Sequence, residues 1–233
     1  MDRKVFYDRI RGDKSLKAIT DSESAVKGTE TILDALDALD VTNVAHQAYI
    51  LATAFHETAH TMRPVREAYW LSESWRRENL RYYPWYGRGY VQLTWEANYK
   101  KAGEKLGVDM TTNPDVALDP TIAAKVLIIG MREGWFTGKS LSDYITSTVV
   151  NFREARRIVN GTDKAQLIAG YAQSFRSALE AAGADTKEPA PTPASPAVPI
   201  GGIVKAVAAL LVALAAAFGG DAIDLIQKIQ EAL

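Results

Sequence analysis

Residues 1–184 predict a mainly α domain (α+β) with one small β element, on three observations. Apolar residues recur at helical spacing through five stretches, a Trp/Tyr/Arg/Gly-rich region at 63–95 interrupts that spacing, and the composition changes abruptly at Asp185. Apolar spacing and end signals place helices over roughly 22–40, 43–62, 96–107, 120–135 and 163–182, the last bounded by Thr162-Asp163 and Gly183. Region 63–95 opens with Pro64 and closes with Val91, Leu93 and Trp95 alternating against Tyr90, Gln92 and Thr94, the pattern of a short strand.

From Asp185 to Pro199 there are five prolines in fifteen residues, which predicts an extended, semi-rigid linker. The tail 200–233 follows, with thirteen uninterrupted apolar residues from Ala206 to Phe218. A membrane span needs about 20 residues, so this apolar helix is a membrane anchor if Val198 to Phe218 counts as one stretch with Lys205 near its end. A helical hairpin with the amphipathic segment 221–233, or disorder, are the alternatives.

A chain of 233 residues, 47% hydrophobic, can bury one sizeable core beside such an appendage. It has no cysteine, which excludes a disulfide framework and thiolate metal sites. The part from Asp185 onward carries five acids and three lysines, leaving residues 1–184 with 24 basic and 23 acidic residues, a net +1. That balance argues against nucleic acid as a partner. Charges at Asp2, Arg3, Lys4, Asp8 and Arg9 occupy the place where a signal peptide needs an apolar stretch, so another export route is expected.

The sharpest local feature is His56-Glu57-Thr58-Ala59-His60. It fits H-E-x-x-H, in which two histidines one helical turn apart hold zinc and the glutamate is a general base. It equally fits a glycosidase in which Glu57 donates a proton and no histidine binds metal. The zinc reading lacks a marked third ligand: the remaining histidine, His46, lies upstream, and nothing singles out Glu73 or Glu78. At about 100° per residue, Ala48, Ala52, Phe55, Ala59 and Met62 form the expected core face, with Glu57 opposite beside Ile50, Thr53 and Thr61. A carboxyl in such a partly apolar groove is expected to hold its proton more tightly, as a general acid requires.

The order His56-Glu57-Thr58, Glu67, Tyr86-Gly87-Arg88-Gly89-Tyr90-Val91-Gln92-Leu93-Thr94, Asn98-Tyr99, Asp119-Pro120, Lys125 and Ala155-Arg156-Arg157-Ile158-Val159-Asn160-Gly161 resembles the family 19 glycoside hydrolases. That family includes chitinases and many bacteriophage endolysins. The resemblance covers roughly 44–180, is closer to the phage and prophage lysins than to plant chitinases, and implies a lysozyme-like helical domain. It implies that Glu57 protonates the leaving oxygen and Glu67 activates water, with Glu73 and Glu78 competing for the second role. Two carboxylates flanking a water in an inverting glycosidase stand about 6.5–9.5 Å apart, a span that residues ten apart across Pro64 can reach.

The resemblance further implies that Thr94 holds the nucleophilic water, that Gln92, Asn98 and Asn160 bind sugar, and that Lys125 is a basic cleft position. Arg88, between Gly87 and Gly89, is expected to pair with a carboxylate near the acid and to serve the substrate cleft. Tyr69, Trp70, Trp75, Tyr82, Tyr83, Trp85 and Tyr86 are candidates for stacking on sugar rings. The expected function is inverting hydrolysis of β-1,4 links in peptidoglycan glycan strands, without metal or cofactor. It would act at the wall from the periplasm after release from the host cytoplasm, with residues 200–220 touching the inner membrane. A chitinase, a zinc peptidase and a non-catalytic wall-binding module are the alternatives.

Overall fold

The computed structural model describes residues 1–184; the linker and tail expected over 185–233 lie outside the described residues. The described chain is mainly helical: α1 (Arg3–Gly12), α2 (Glu23–Ala38), α3 (Val44–Glu57), α4 (Glu73–Asn79), α5 (Glu96–Leu106), α6 (Pro120–Glu133) and α7 (Ala165–Ala181), with the two-residue strands β1 (Val65–Arg66) and β2 (Arg88–Gly89). Short 3-10 turns at Lys17–Ile19, Pro114–Leu118, Leu141–Asp143 and Glu154–Ile158 complete the frame.

The expected helices form where caps and apolar spacing agree. Asn43 opens α3 by accepting from the N–H groups of Ala45 and His46, and Asp119 opens α6 at Pro120, a first-turn position that needs no N–H. Gly107 and Gly134 close α5 and α6 in the left-handed conformation. Two helices escaped the sequence reading. In α1 only Phe6 and Ile10 are buried, a stripe too short to stand out among charges, although Asp2 caps it; α4 is a single short segment capped by Ser72.

The centre of the core is α3, which packs chiefly along α7, while α1 also lies on α7 and α2 on α6. Every residue of α3 from Gln47 to Phe55 is buried. The two-faced helix expected for 43–62 is therefore corrected: Ile50 and Thr53 belong to the core rather than to a groove beside Glu57. The helix also ends at Glu57. Thr58 turns its hydroxyl back onto Ala54 O (2.7 Å) and accepts from Met62 N (3.0 Å), while Ala59, His60 and Met62 take positive φ of 50°, 69° and 51°. Ala59 is consequently exposed instead of being part of the core face.

The strand expected over 90–95 is displaced. The ladder pairs Val65 with Gly89 and Arg66 with Arg88, antiparallel, and Arg88 and Leu93 close a tight loop by exchanging backbone hydrogen bonds. Positive φ at Gln92 (53°) and Trp95 (76°) breaks extended geometry across the predicted strand, and Val91 and Leu93 are buried there without a ladder. Gly89 is fixed by two demands, a φ of 83° and a Cβ position only 2.9 Å from Ala117 O.

Candidate active site

Glu57, the last residue of α3, is set by the buried helix behind it and by the Thr58 turn ahead of it. Its carboxyl meets a partner the sequence reading left unassigned: Arg156 Nη1 donates to Glu57 Oε1 at 2.5 Å. The arginine side chain is 4% exposed and the glutamate 16%. Arg156 projects from the 3-10 turn Glu154–Ile158 and is held by a second bond from its Nε to Asp163 O (3.1 Å). The apolar groove expected around Glu57 is thus a buried ion pair. A signal existed in the run 155–161, where Arg156 stands between the buried Ala155 and Ile158.

Glu67 follows β1 directly. Its backbone N–H donates to Gly87 O (2.6 Å), and its carboxylate accepts from the Tyr82 hydroxyl (2.7 Å to Oε1) and the Gly87 N–H (3.0 Å to Oε2). Burial and the bond to Glu67 push the Tyr82 phenol up to about 12, keeping it a donor at any working pH. Of the competing acids, Glu73 binds the Tyr86 hydroxyl and Arg76 elsewhere, and Glu78 is exposed on α4.

Glu57 and Glu67 line one cleft of about 460 Å³ together with Gln92, Thr94, Asn98 and Asn160. The Thr94 hydroxyl donates to Gln92 O (2.8 Å), which leaves its oxygen free to accept. Gln92 Nε2 donates to Val65 O and Gly89 O, so its free atom is the carbonyl Oε1. Asn98 donates to Thr94 O (2.8 Å) and keeps its carbonyl and one N–H. Tyr82, Trp95 and Phe136 add aromatic surface to the walls, and Trp95, 46% exposed, had not been singled out as a stacking candidate. The remaining sequence candidates lie apart from this cleft. Arg88 is 4% exposed, pairs with Asp115 (2.8 Å), donates to Pro84 O and Tyr86 O, and lies over the Tyr86 ring, so it braces the hairpin. Lys125 is half-buried on α6 and is not among the cleft-lining residues.

The histidines are dispersed. Because α3 stops at Glu57, His60 does not sit one helical turn from His56; it stacks on Phe55 (4.3 Å between rings) and bonds Tyr171 (3.2 Å). His46 bonds Ile145 O (2.9 Å). Among the described residues no three His, Asp or Glu side chains converge, so the geometry needed by the zinc reading is not formed there. A larger groove of about 930 Å³ runs beside the cleft; Pro64, Val65 and Arg66 line the groove and the next residue, Glu67, lines the cleft.

Comparison with known proteins bears on this arrangement. Chitinase 11 of Oryza sativa subsp. japonica is 50% identical over 65 residues, 28% of this chain and 25% of the rice protein. Endochitinase EP3 of Arabidopsis thaliana is 31% identical over 121 residues, 49% of this chain and 41% of that protein. The chain thus spans less than half the length of either relative. Inactive chitinase-like protein 1 of Hevea brasiliensis is 43% identical over 63 residues, 27% of this chain and 20% of its own length, so likeness by itself does not decide activity. The fold is shared with chitinase C from Streptomyces griseus HUT6037, at a TM-score of 0.50 and 23% identity over 80% of this chain and 78% of that one. The family model described as chitinase class I, of the family 19 glycoside hydrolases, matches residues 46–147, the stretch holding both cleft carboxylates.

Proposed function

We propose that this protein hydrolyses β-1,4 glycosidic bonds of peptidoglycan with inversion at the anomeric carbon, as a lysin of the cell wall. The observation that carries the reading is the pair Glu57 and Glu67, placed in one cleft by different segments and held by unlike partners. Glu57 gives its proton to the glycosidic oxygen as the bond to the anomeric carbon breaks, and ends as a carboxylate. Glu67 takes a proton from water, whose oxygen bonds that carbon from the other face. Arg156 occupies Oε1 of Glu57, which assigns the proton to be donated to Oε2, and it stabilises the negative charge left behind. Tyr82 and Gly87 N–H fix the Glu67 carboxylate, and the unused lone pairs of Thr94 Oγ1 can accept a hydrogen from the attacking water. Gln92, Asn98 and Asn160 offer carbonyl and amide groups to sugar hydroxyls and acetamides.

Peptidoglycan is preferred to chitin because a proline-rich segment and thirteen apolar residues follow the helical domain, a pattern suited to holding an enzyme at a membrane that faces the wall. The chitinase reading is favoured by the names of the curated relatives. Reducing-end release from purified peptidoglycan and from chitin oligosaccharides separates the two. Glu57→Gln and Glu67→Gln should each lower the rate by about 10²-fold or more, whereas Glu73→Gln should retain activity. Faster chitin cleavage would move the assignment to chitinase. Loss of wild-type activity to a chelator would overturn the metal-free mechanism, and wall binding without new reducing ends would make the protein a binding module. Deletion from Glu188 onward should abolish association with membranes and leave activity on isolated walls.

A further inference from the structure

The groove of about 930 Å³ beside the catalytic cleft has a charge that the cleft chemistry does not use. Lys27, Arg63, Arg66 and Arg76 line it against two carboxylates, Glu73 and Asp115. Both acids are already committed, Glu73 to Arg76 (3.1 Å) and Asp115 to Arg66 (2.7 Å) and Arg88 (2.8 Å). Lys27 and Arg63, both exposed, have no carboxylate partner among the described residues, so the groove carries surplus positive charge. The apolar part of the wall comes from Val65, Leu118 and Pro120. The fully buried Tyr90 also lines it.

Resting on the peptidoglycan reading above, we propose that this groove binds the acidic peptide stem that peptidoglycan carries on alternate sugars, and so selects stem-bearing glycan over neutral chitin. Charge complementarity commits the groove to an anionic occupant, since a chitin chain carries no charge for Lys27 and Arg63 to meet. Its volume lies within the range of about 300–1,000 Å³ that encloses ligands of this size. Position supplies the second argument. The segment 64–67 is a common wall, with Val65 and Arg66 on the groove side and Glu67 in the cleft. A four-residue stem reaches about 13 Å when extended, at about 3.3 Å per residue, and the groove and cleft are lined by consecutive residues of one segment.

The test uses the full chain and a free stem tetrapeptide with its carboxylates intact, followed by calorimetric or NMR titration, with the fully amidated tetrapeptide as control. The acidic peptide should bind saturably and the amidated one more weakly. Lys27→Ala/Arg63→Ala should weaken acidic-peptide binding about 3- to 10-fold, as expected for two exposed charge pairs, and about 0.5 M salt should do the same to the wild type. In parallel, the ratio of kcat/KM on intact peptidoglycan to kcat/KM on amidase-stripped glycan strands should fall by a similar factor in the double variant. Absence of saturable peptide binding, or binding equal in wild type and double variant, would overturn the groove assignment whatever the activity on walls. Peptide binding by a protein that cleaves only chitin would leave the groove standing and overturn the peptidoglycan reading.

Discussion

Removing the Glu57 side chain should destabilise the protein as well as silence it. In Glu57→Ala the guanidinium of Arg156, 4% exposed, would keep only Asp163 O as an acceptor among the described residues. Deleting one partner of a buried pair costs about 3–5 kcal/mol, and the partial exposure of Glu57, which lets water reach the vacated space, puts this case near the lower end at about 3 kcal/mol. For a domain of this size that corresponds to a fall in Tm of roughly 6–12 °C. Glu57→Gln keeps an acceptor oxygen for Nη1 while losing the charge, so about 1–2 kcal/mol is expected, with a correspondingly smaller shift. Thermal unfolding followed by circular dichroism would order wild type above Gln above Ala. In a double-mutant cycle, Glu57→Ala/Arg156→Ala should cost less than the two single changes summed, because neither charge remains unpaired. A Glu57→Ala protein as stable as wild type would refute the view that this carboxylate compensates Arg156.

Three further outcomes follow from local geometry. Gly28→Ala would place a Cβ 1.7 Å from Met62 O, and since Met62 closes the turn after Glu57, about 2–3 kcal/mol of destabilisation and reduced kcat are expected in unfolding and activity assays. Tyr82→Phe removes the donor to Glu67 Oε1 (2.7 Å); stability should fall by only about 1 kcal/mol while kcat drops about tenfold with little change in KM. His46 is held below its ordinary range mainly by burial, with Arg132 adding to the effect and the bond to Ile145 O opposing it. The folded protein therefore takes up this proton less readily than the unfolded chain, so the contribution is whole above about pH 6.5 and is lost as pH falls below it. His46→Gln should flatten the decline of Tm between pH 7 and pH 5, and an identical decline in both proteins would remove His46 as its cause.

Much of the fold was legible because α2, α5, α6 and α7 carry an apolar stripe and the last three also a glycine stop, Gly107, Gly134 or Gly183, in the left-handed conformation. What escaped lies where tertiary burial overrides local pattern. Nothing in Thr58-Ala59-His60 announces a helix end; the backward hydrogen bond from Thr58 and three positive φ values impose it, and they displace His60 from His56. The alternation at 90–95 is not matched by burial, since Tyr90 is buried beside Val91 and Leu93 while Trp95 is 46% exposed. Motif order singled out Glu57 and Glu67, and both line the same cleft. Arg156 was not assigned, because an ion pair 99 residues apart in the chain leaves no periodic trace. Arg88 misled for the opposite reason: a cation flanked by glycines suggests a ligand, yet its partners are Asp115, two backbone carbonyls, the Tyr99 hydroxyl and the Tyr86 ring.

The two carboxylates differ in what surrounds them, and in the proposed mechanism that difference orders their roles. Glu67 accepts from a phenol and a backbone N–H, two neutral donors that orient a carboxylate without neutralising it, as suits a base that must take a proton from water. Glu57 faces a full positive charge that becomes most favourable once its proton has left, so the interaction with Arg156 grows along the reaction and belongs to the transition state more than to the ground state. Both roles concern the glycosidic oxygen and the anomeric carbon, atoms that chitin and peptidoglycan share. Under the proposed function, discrimination between them rests on contacts to what differs, such as the acidic stems, for which cationic side chains outside the cleft are the stronger partners. The cationic groove across the 64–67 wall is where such a contact can be made without disturbing the acid–base pair.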